Sequence, residues 1–511
     1  MNTRARLFPA VTIAVSALVA LASCSLILTP EPERTESTPT NETVAPELQD
    51  YYSQVLAWSP CGRTFQCATA QAPLDWNDPG RDSIELALVR HTAKNPMGSL
   101  LINPGGPGAS GIDMVRESLT FAVGQKLIDN FDIVGFDPRG VGASSAISCS
   151  ANAAELDRFL YQYETTDSER GSDEWLDEGR DEWRELGQAC LEHSGDLLGY
   201  VDTTSAARDL DLLRAILGDE KLNYLGYSYG TLLGASFAEL YPDKVGRVVL
   251  DGALDPATSI DDVIEFQSVG FENALVAYLE SCIGSAGCPF TGSVESGIDR
   301  VGKLMTQLDR SPLRALDGRL LGAGTMFTAI ILPLYSAETW SYLDDLFSTV
   351  LSGDPAFAFV LADAYNERGV DGEYPSNSSE AFWAINCLDY DNLATNDEVR
   401  VATDRLIQAS PLFGPYMGYD VSCDGWPYPS TRDRSPIHAV GADPIVVIGT
   451  TGDPATPYEW AVNLAEQLDS GVLVSFEGEG HTAYNKSNRC IQDAVDNYFV
   501  NGAVPTDGLQ C

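Results

Sequence analysis

The sequence predicts an α/β fold: a mostly parallel sheet with helices on both faces. Three observations support this prediction. Short apolar runs recur along the chain, segments of helical period separate them, and several runs end in glycine-rich or acidic loops. Such continuous apolar runs are typical of parallel strands that are buried on both faces. The predicted strands cover residues 84–89, 99–102, 131–136, 222–227, 247–251, 444–449 and 471–476.

Helical patterns fill the spaces between these runs. An acidic segment of helical period covers residues 151–198, and a helix is predicted over 204–217, with Thr203 or Thr204 as its N-cap. Further helices are predicted over 229–241 and 491–499. The strand pattern stops between residues 255 and 442, which predicts a large, mainly helical lid inserted between two parts of the core, 51–254 and 443–511.

The N-terminus has the pattern of an export signal. Arg4 and Arg6 precede an apolar run over 11–21, which is too short to span a membrane comfortably. Leu-Ala-Ser-Cys at 21–24 resembles a bacterial lipobox, so residues 1–23 are predicted to be a lipoprotein signal peptide and Cys24 the lipidated residue; the alternative is an ordinary signal peptide. Residues 24–50 are rich in Pro, Thr and Glu and are predicted to form a disordered tether. We therefore expect an exported bacterial protein that is anchored by lipid to the outer face of the cytoplasmic membrane.

The composition excludes some functions. The chain has 74 acidic against 31 basic residues, a net charge of −43, which repels phosphate backbones and argues against a nucleic-acid partner. It has four histidines and no CxxC pair, so no metal or organic cofactor is expected.

The cysteine count agrees with export. Without Cys24, ten cysteines remain, an even number that is typical of an oxidising compartment. Pairing each cysteine with its neighbour in sequence predicts the disulfides Cys61–Cys67, Cys149–Cys190, Cys282–Cys288, Cys387–Cys423 and Cys490–Cys511.

The motif G-x-S-x-G at 226–230 lies between a predicted strand and a predicted helix, as a nucleophile elbow requires. Glycines on both sides permit a tight turn that lifts the Ser228 hydroxyl clear of the sheet, and the helix that follows directs its N–H groups at the reacting centre. This context predicts the α/β-hydrolase fold with Ser228 as the nucleophile.

A serine nucleophile needs a base, and in this fold the triad follows the order serine, acid, histidine. His481 lies directly after the last predicted strand and is the expected base. Asp453 follows the penultimate strand and is the expected acid, which would hold the imidazole in the correct tautomer. Asp251 or Asp255, after an earlier strand, is the alternative acid.

The oxyanion formed during the reaction needs two hydrogen-bond donors. The N–H of Tyr229 is the expected first donor, and the loop Asn-Pro-Gly-Gly-Pro-Gly at 103–108 should supply the second, since Gly105 and Gly106 let the backbone approach the substrate closely.

These motifs together resemble a known family. The 103–108 loop is similar to the H-G-G-P-G signature of prolyl iminopeptidases, with Pro104 in the place of their histidine, and residues 137–144 are similar to their D-x-R-G-x-G-x-S pattern. Residues 226–231, 452–457 and 480–482 resemble the secreted tripeptidyl aminopeptidases of actinobacteria. The pattern formed by Cys387, Asp389, Cys423 and 426–427 resembles the segment leading into the TAP-like C-terminal region of those enzymes. Together with the lipobox, this pattern makes the chain similar to envelope serine proteases that are also described as carboxylesterases.

This resemblance implies a serine peptidase acting on peptides or proteins, of the tripeptidyl aminopeptidase type or an envelope protease. An aminopeptidase needs a carboxylate for the substrate's α-ammonium group, and Asp389 and Glu380 are the candidates in the lid. Two alternatives remain: a carboxylesterase or lipase, which would use the same triad on ester or lipid substrates, and a binding lipoprotein without activity.

Overall fold

The computed structural model describes residues 34–162, 168–391, 393–430, 432 and 434–511; the predicted signal peptide and Cys24 lie outside them. Thirteen strands are assigned in this part of the chain. They are β1 (Thr35–Glu36), β2 (Ala57–Pro60), β3 (Phe65–Pro73), β4 (Ser83–His91), β5 (Ser99–Asn103), β6 (Asp132–Phe136), β7 (Leu222–Tyr227), β8 (Val245–Asp251), β9 (Leu313–Arg314), β10 (Leu320–Leu321), β11 (Ile445–Gly452), β12 (Gly471–Glu479) and β13 (Leu509–Gln510).

Eleven of these strands form one sheet in the order β1-β2-β3-β4-β6-β5-β7-β8-β11-β12-β13. The pairs from β1 to β4, and β4 with β6, are antiparallel, whereas every pair from β6 to β13 is parallel. The predicted mostly parallel sheet is therefore confirmed. The antiparallel edge is built partly from β2 and β3, which the sequence pattern did not predict.

The helices are α1 (Gln49–Tyr52), α2 (Gly111–Ala122), α3 (Gln125–Ile128), α4 (Ala153–Gln162), α5 (Asp173–Ser194), α6 (Thr203–Leu217), α7 (Tyr229–Leu240), α8 (Ile260–Cys282), α9 (Val294–Arg310), α10 (Ala323–Leu334), α11 (Ser341–Leu351), α12 (Ala356–Tyr365), α13 (Ser378–Asp389), α14 (Asn396–Ala409), α15 (Gly414–Met417), α16 (Tyr458–Gln467) and α17 (Arg489–Asn501). Helix α6 begins after Asp202, whose side chain accepts a hydrogen bond from Ser205 N. The predicted N-cap, Thr203 or Thr204, is therefore wrong by one or two residues. An aspartate is a favoured N-cap, and the Thr203 hydroxyl is already bonded to Asp389.

The sheet separates two hydrophobic cores. Helices α6, α7 and α16 pack on one face, and α2, α3 and α17 pack on the other. Successive residues of a strand point to opposite faces, so Tyr224 and Val248 belong to the first core while Leu225 and Val249 belong to the second. This arrangement of the sheet and its helices is that of the α/β-hydrolase fold.

The predicted lid has a hydrophobic core of its own, built chiefly from α8 to α12. Helices α4 and α5, which were predicted within the first part of the core (51–254), also contact the lid; the Trp183 ring of α5 lies 6.2 Å from that of Trp383. The Tyr161 hydroxyl donates to Asp363 Oδ1 at 2.7 Å, and the Arg368 guanidinium pairs with Asp157 at 2.6 Å. The cap over the sheet is thus made from two insertions, one before β7 and one after β8.

The prediction of a disordered tether over 24–50 is wrong for its described part, residues 34–50. Strand β1 pairs with β2, and Thr40 N donates to Ala215 O at 2.9 Å. Glu42 forms ion pairs with Lys244, at 2.6 Å, and with Arg214. The composition of this segment cannot build a core, but its polar groups find partners on the surface of the folded domain.

All five predicted disulfides are confirmed, with S–S distances of 1.95–2.05 Å. Over the described residues, none of the helices combines the length and the hydropathy needed to cross a membrane. In the same part of the chain, one group of potential metal ligands comes together, namely Cys282, Cys288 and Asp344. Because the two cysteines form a disulfide, they offer no thiolate to a metal.

Candidate active site

Ser228 occupies the turn between β7 and α7 in a strained conformation, with φ +54° and ψ −125°. Its N–H donates to Asp251 O at 3.0 Å, and its carbonyl accepts from Thr231 N at 2.8 Å, so the backbone on both sides is fixed. A Cβ at Gly226 would lie 2.6 Å from the Tyr224 ring, which explains why glycine stands before the serine. Strain of this kind persists only where the surrounding structure enforces it, and it is typical of a nucleophile elbow.

His481 and Asp453 form a hydrogen-bonded pair. The imidazole Nδ1 lies 2.9 Å from Asp453 Oδ1 and 3.0 Å from Oδ2. The Asp453 side chain is fully buried, and that of His481 is 11% exposed. Asp453 also accepts from Ala455 N, Thr456 N and Thr482 N at 2.9–3.2 Å, so its orientation is fixed by the backbone. An aspartate held in this way sets the tautomer of the histidine and stabilises the imidazolium.

The two alternative acids have other partners. Asp251 is fully buried and accepts from Ala483 N at 3.0 Å and Tyr484 N at 2.7 Å, so it holds the loop that follows His481. Burial raises the pKa of Asp251, while these two N–H groups act in the opposite direction. Asp255 accepts from Asn463 and Gln467 of α16. The geometry therefore favours Asp453 as the partner of His481.

The elbow and the imidazole meet at the end of β8. The Asp251 carbonyl binds the Ser228 N–H, and the next residue, Gly252, lies so close to His481 that a Cβ there would be 3.1 Å from the imidazole Cε1. A hydrogen bond between Ser228 Oγ and His481 is not among the contacts of the described residues. The structure thus joins the base to its acid directly and brings the base close to the nucleophile.

The predicted oxyanion loop lies against the elbow. A Cβ at Gly105 would lie 2.9 Å from Ser228 Cβ and 3.1 Å from Tyr229 N, so only glycine fits there. The Gly105 N–H itself donates to Asn103 Oδ1 at 3.0 Å. Gly105 therefore provides the close approach but not a donor, which leaves the Gly106 N–H as the donor expected from this loop.

The predicted ammonium-binding carboxylates have structural roles, and those two predictions are wrong. Asp389 is 1% exposed and accepts from the Thr203 N–H at 3.0 Å and from the Thr203 hydroxyl, which also contacts the Tyr229 hydroxyl at 2.5 Å. Glu380 is 6% exposed and accepts from Cys149 N at 2.8 Å and Ser150 N at 3.0 Å. Both side chains lie in the lid as predicted, but each satisfies buried donors of the core and the first insertion.

Two residues near the base were missed by sequence reasoning. The carbonyl of Tyr335, from the lid, accepts a hydrogen bond from the backbone N–H of His481 at 2.8 Å. The Tyr335 ring packs edge-on to the imidazole, with 5.5 Å between the ring centroids. The Lys486 ammonium donates to Thr482 Oγ1 at 2.7 Å and lies 5.6 Å from the ring centre of Tyr227. No motif signals Tyr335, whereas the position of Lys486 five residues after the base could have drawn attention to it.

A strained serine at a strand-to-helix turn, with a buried carboxylate–imidazole pair beside it, is the arrangement by which α/β-hydrolases activate an alcohol. The class of protein defined by this fold and site is a serine hydrolase.

The model of the family described as "TAP-like protein" matches residues 410–511. The chain is 34% identical to "Serine protease Hip1" of Mycobacterium tuberculosis, over 90% of this chain and 91% of that protein. It is 37% identical to "Carboxylesterase B" of the same species, over 88% and 86%. This chain belongs to the α/β-hydrolase family that contains these two mycobacterial enzymes.

Other similarities are more distant. The chain is 29% identical to "Tripeptidyl aminopeptidase" of Streptomyces coelicolor, over 89% of this chain and 86% of that protein. Among solved structures, it matches an α/β hydrolase from a deep-sea metagenome, MGS-M2, with 14% identity and a TM-score of 0.37 over 83% of this chain and 96% of that one. It also matches proline iminopeptidase of Mycobacterium smegmatis, with 18% identity and a TM-score of 0.31 over 81% and 91%.

Proposed function

We propose that this serine hydrolase is a peptidase of the tripeptidyl aminopeptidase type, and that it cleaves peptide bonds through an acyl-enzyme on Ser228. The observation that carries the acyl-enzyme mechanism is the hydrogen bond between His481 and the fully buried Asp453, formed beside the strained elbow serine. Because Nδ1 faces the carboxylate, the imidazole keeps its proton on Nδ1 and leaves Nε2 as the base.

In the first half of the reaction, His481 Nε2 takes the proton of Ser228 Oγ as the oxygen bonds to the substrate's carbonyl carbon. The carbonyl oxygen becomes an oxyanion, which accepts hydrogen bonds from Tyr229 N–H, at the start of α7, and from Gly106 N–H. Collapse of this intermediate breaks the C–N bond, and the amine leaves with the proton that His481 returns to it. The N-terminal part of the peptide is now an ester of Ser228.

In the second half, a water molecule replaces the amine. His481 takes a proton from the water, the hydroxyl adds to the ester carbon, and the second intermediate uses the same two N–H donors. Breaking the C–O bond returns the proton to Ser228 and releases the peptide acid. Asp453 stays ionised throughout and stabilises the imidazolium that forms twice in each cycle.

Two relatives whose names describe peptide cleavage support the peptidase assignment. The relative named carboxylesterase, which is 37% identical, favours a second candidate: hydrolysis of esters by the same residues. The wrong predictions for Asp389 and Glu380 do not affect either chemistry, since neither residue takes part in the bond-breaking steps.

The test compares kcat/KM for free tripeptidyl p-nitroanilides, N-acetylated tripeptidyl p-nitroanilides and p-nitrophenyl esters. We expect the free tripeptidyl anilides to be cleaved best, and Ser228→Ala to lose all turnover and all labelling by a fluorophosphonate probe while keeping its circular dichroism spectrum. Ser53→Ala, an exposed serine of the N-terminal segment, is the matched control. Equal turnover of free and acetylated peptides would exclude the aminopeptidase form, and turnover of esters alone would establish the esterase.

We further propose that the protein is exported, cut before Cys24 and held by a lipid on that cysteine at the outer face of the membrane. The five disulfides support an oxidising compartment, and the lipobox at 21–24 supports the anchor. Cells fed radioactive palmitate should label the wild-type protein and not Cys24→Ala, and the variant should appear in the medium. Labelling of both proteins, or of neither, would contradict the anchor.

A further inference from the structure

The cap contains a cleft of about 1480 Å³ of empty space, part of it open to solvent. We call it the aromatic cleft, because six aromatic side chains line it: Phe159, Tyr161, Trp183, Phe327, Trp383 and Tyr416. These residues come from both insertions of the cap. Polar groups are interspersed with the rings, among them Thr325, Thr328 and Arg310.

Three of the rings form a contiguous wall. Phe159 lies 5.3 Å from Trp183 and 4.6 Å from Trp383, and the two tryptophans are 6.2 Å apart, all with edge-to-face geometry. Each ring comes from a different helix, α4, α5 or α13, and each is only partly buried. Because the three rings already pack against one another, their aromatic surface is in place before a ligand binds.

The cleft adjoins the catalytic residues through two helices. On α13, Trp383 directly follows Phe382, and Phe382 N would lie 3.1 Å from a Cβ on Gly108 of the oxyanion loop. On α10, Thr328 lines the cleft, and Tyr335 directly follows the last residue of the helix; its carbonyl accepts a hydrogen bond from the backbone N–H of His481. Tyr335 is seven positions after Thr328, which corresponds to about 10 Å along the helix axis.

We propose that the aromatic cleft is a specificity subsite that binds an apolar or aromatic side chain of the peptide, about three residues before the scissile bond. An extended chain of three residues spans about 10 Å, the same length as the stretch from the cleft residue Thr328 to Tyr335, whose carbonyl contacts the backbone of the base. A peptide occupies a cleft of mixed lining better than a fatty acyl chain does, because the acyl chain would leave the cleft's polar groups without partners. This assignment rests on the proposed peptidase function and names its substrate class.

The test uses full-length enzyme with Trp383→Leu and Phe159→Leu, which keep apolar side chains at both positions. Tyr342→Leu, an aromatic residue of the cap that is 49% exposed and outside the cleft, is the matched control. The substrates are Phe-Ala-Ala-p-nitroanilide and Gly-Ala-Ala-p-nitroanilide, which differ only in the N-terminal residue, the third residue before the scissile bond. Two esters are added: p-nitrophenyl acetate, a short substrate that cannot reach the cleft, and p-nitrophenyl decanoate, a fatty acyl substrate.

Wild-type enzyme and Tyr342→Leu should prefer the Phe peptide to the Gly peptide in kcat/KM. Trp383→Leu and Phe159→Leu should reduce this preference about tenfold and leave turnover of p-nitrophenyl acetate unchanged. An unchanged preference in both variants, or an equal loss on p-nitrophenyl acetate, would overturn the proposal, as would a loss confined to the decanoate. If wild-type enzyme cleaves the esters but neither anilide, the peptidase function itself fails, which is a distinct result.

Discussion

Replacing Asp453 by asparagine tests the catalytic geometry at a single atom. Asp453 Oδ1 accepts from Ala455 N at 3.0 Å and from Thr456 N at 2.9 Å. An asparagine must keep its oxygen at these two donors, so its NH₂ group takes the place of Oδ2, which lies 3.0 Å from His481 Nδ1. An NH₂ group at that position faces Nδ1 and favours the tautomer in which Nδ1 accepts and the imidazole proton is on Nε2, although the retained oxygen still lies 2.9 Å from Nδ1.

The variant then presents a protonated Nε2 to the serine, and the base is lost without loss of the fold. A wrong tautomer of this kind lowers kcat by about 10³–10⁴. This corresponds to roughly 4–5.5 kcal/mol in the activation free energy. KM should change little, because Asp453 is buried behind the imidazole and does not contact the substrate.

The assay measures kcat and KM with p-nitrophenyl acetate and with a tripeptidyl p-nitroanilide, after circular dichroism has confirmed the fold. Asp255→Asn is the matched control, since this buried carboxylate contacts Asn463 and Gln467 rather than His481. A folded Asp453→Asn enzyme that keeps more than about a tenth of the wild-type kcat would refute the assignment, and so would an equal loss in Asp255→Asn.

Three further predictions follow from the same contacts. Gly105→Ala should lower kcat by about 10²–10³, because the added Cβ would lie within 3.1 Å of Ser228 Cβ and Tyr229 N and displace the oxyanion loop. Burst-phase kinetics equal to those of the wild-type enzyme would contradict this prediction. Asp251→Asn should lower the free energy of unfolding by about 2 kcal/mol, since an asparagine whose oxygen keeps the bond to the Tyr484 N–H turns its NH₂ group toward the Ala483 N–H. The variant should reduce kcat much less than Asp453→Asn does. Urea denaturation and kinetics measure the two effects, and the reverse ranking of kcat would make Asp251 the acid. Burial, with Glu185 and Glu178 nearby, raises the pKa of Glu182 from 4.5 to about 6. Below pH about 4.5 the Glu182 carboxyl is protonated in both the folded and the unfolded protein, so its raised pKa costs no stability there. As the pH rises through 6, the carboxyl ionises more readily in the unfolded protein, and the folded state loses stability. Glu182→Gln should therefore be more stable than wild type by about 1 kcal/mol at pH 7.5, after allowance for solvent screening, and no more stable at pH 4. A pH-independent difference in the urea midpoint would contradict this reasoning.

The strands and the catalytic motifs could be predicted because each depends on local sequence. The apolar run at 222–227 becomes β7, and the run at 471–476 becomes the first part of β12. Ser228 and His481 each follow directly from one of these strands, so their places in the fold come with the strand assignment. The same local signal failed for β3, whose alternating Ala and Gln residues have a weaker apolar pattern than the central strands.

Predictions were less accurate where a residue's partners lie in distant parts of the chain. Asp389 and Glu380 are acidic residues of the lid, and nothing in their local sequence shows that they bind Thr203 and the 149–150 backbone. Residues 34–50 have the composition of a tether, yet Arg214 and Lys244 provide ion-pair partners for Glu42. In both cases a polar side chain was predicted to be free because its partner lies about 170 residues or more away in the sequence.

The sequence by itself determined the central strands of the sheet, the elbow, the order of the catalytic residues and the disulfide pairs, because these follow from periodicity, from tight turns and from cysteines that are neighbours in sequence. Only the tertiary structure decided which carboxylate faces the imidazole, which loop N–H is already occupied and which aromatic residues meet in the cap. The physical reason is that hydrogen bonds and ring contacts act over about 3–6 Å in space, whereas the residues that make them are separated by tens to hundreds of positions along the chain.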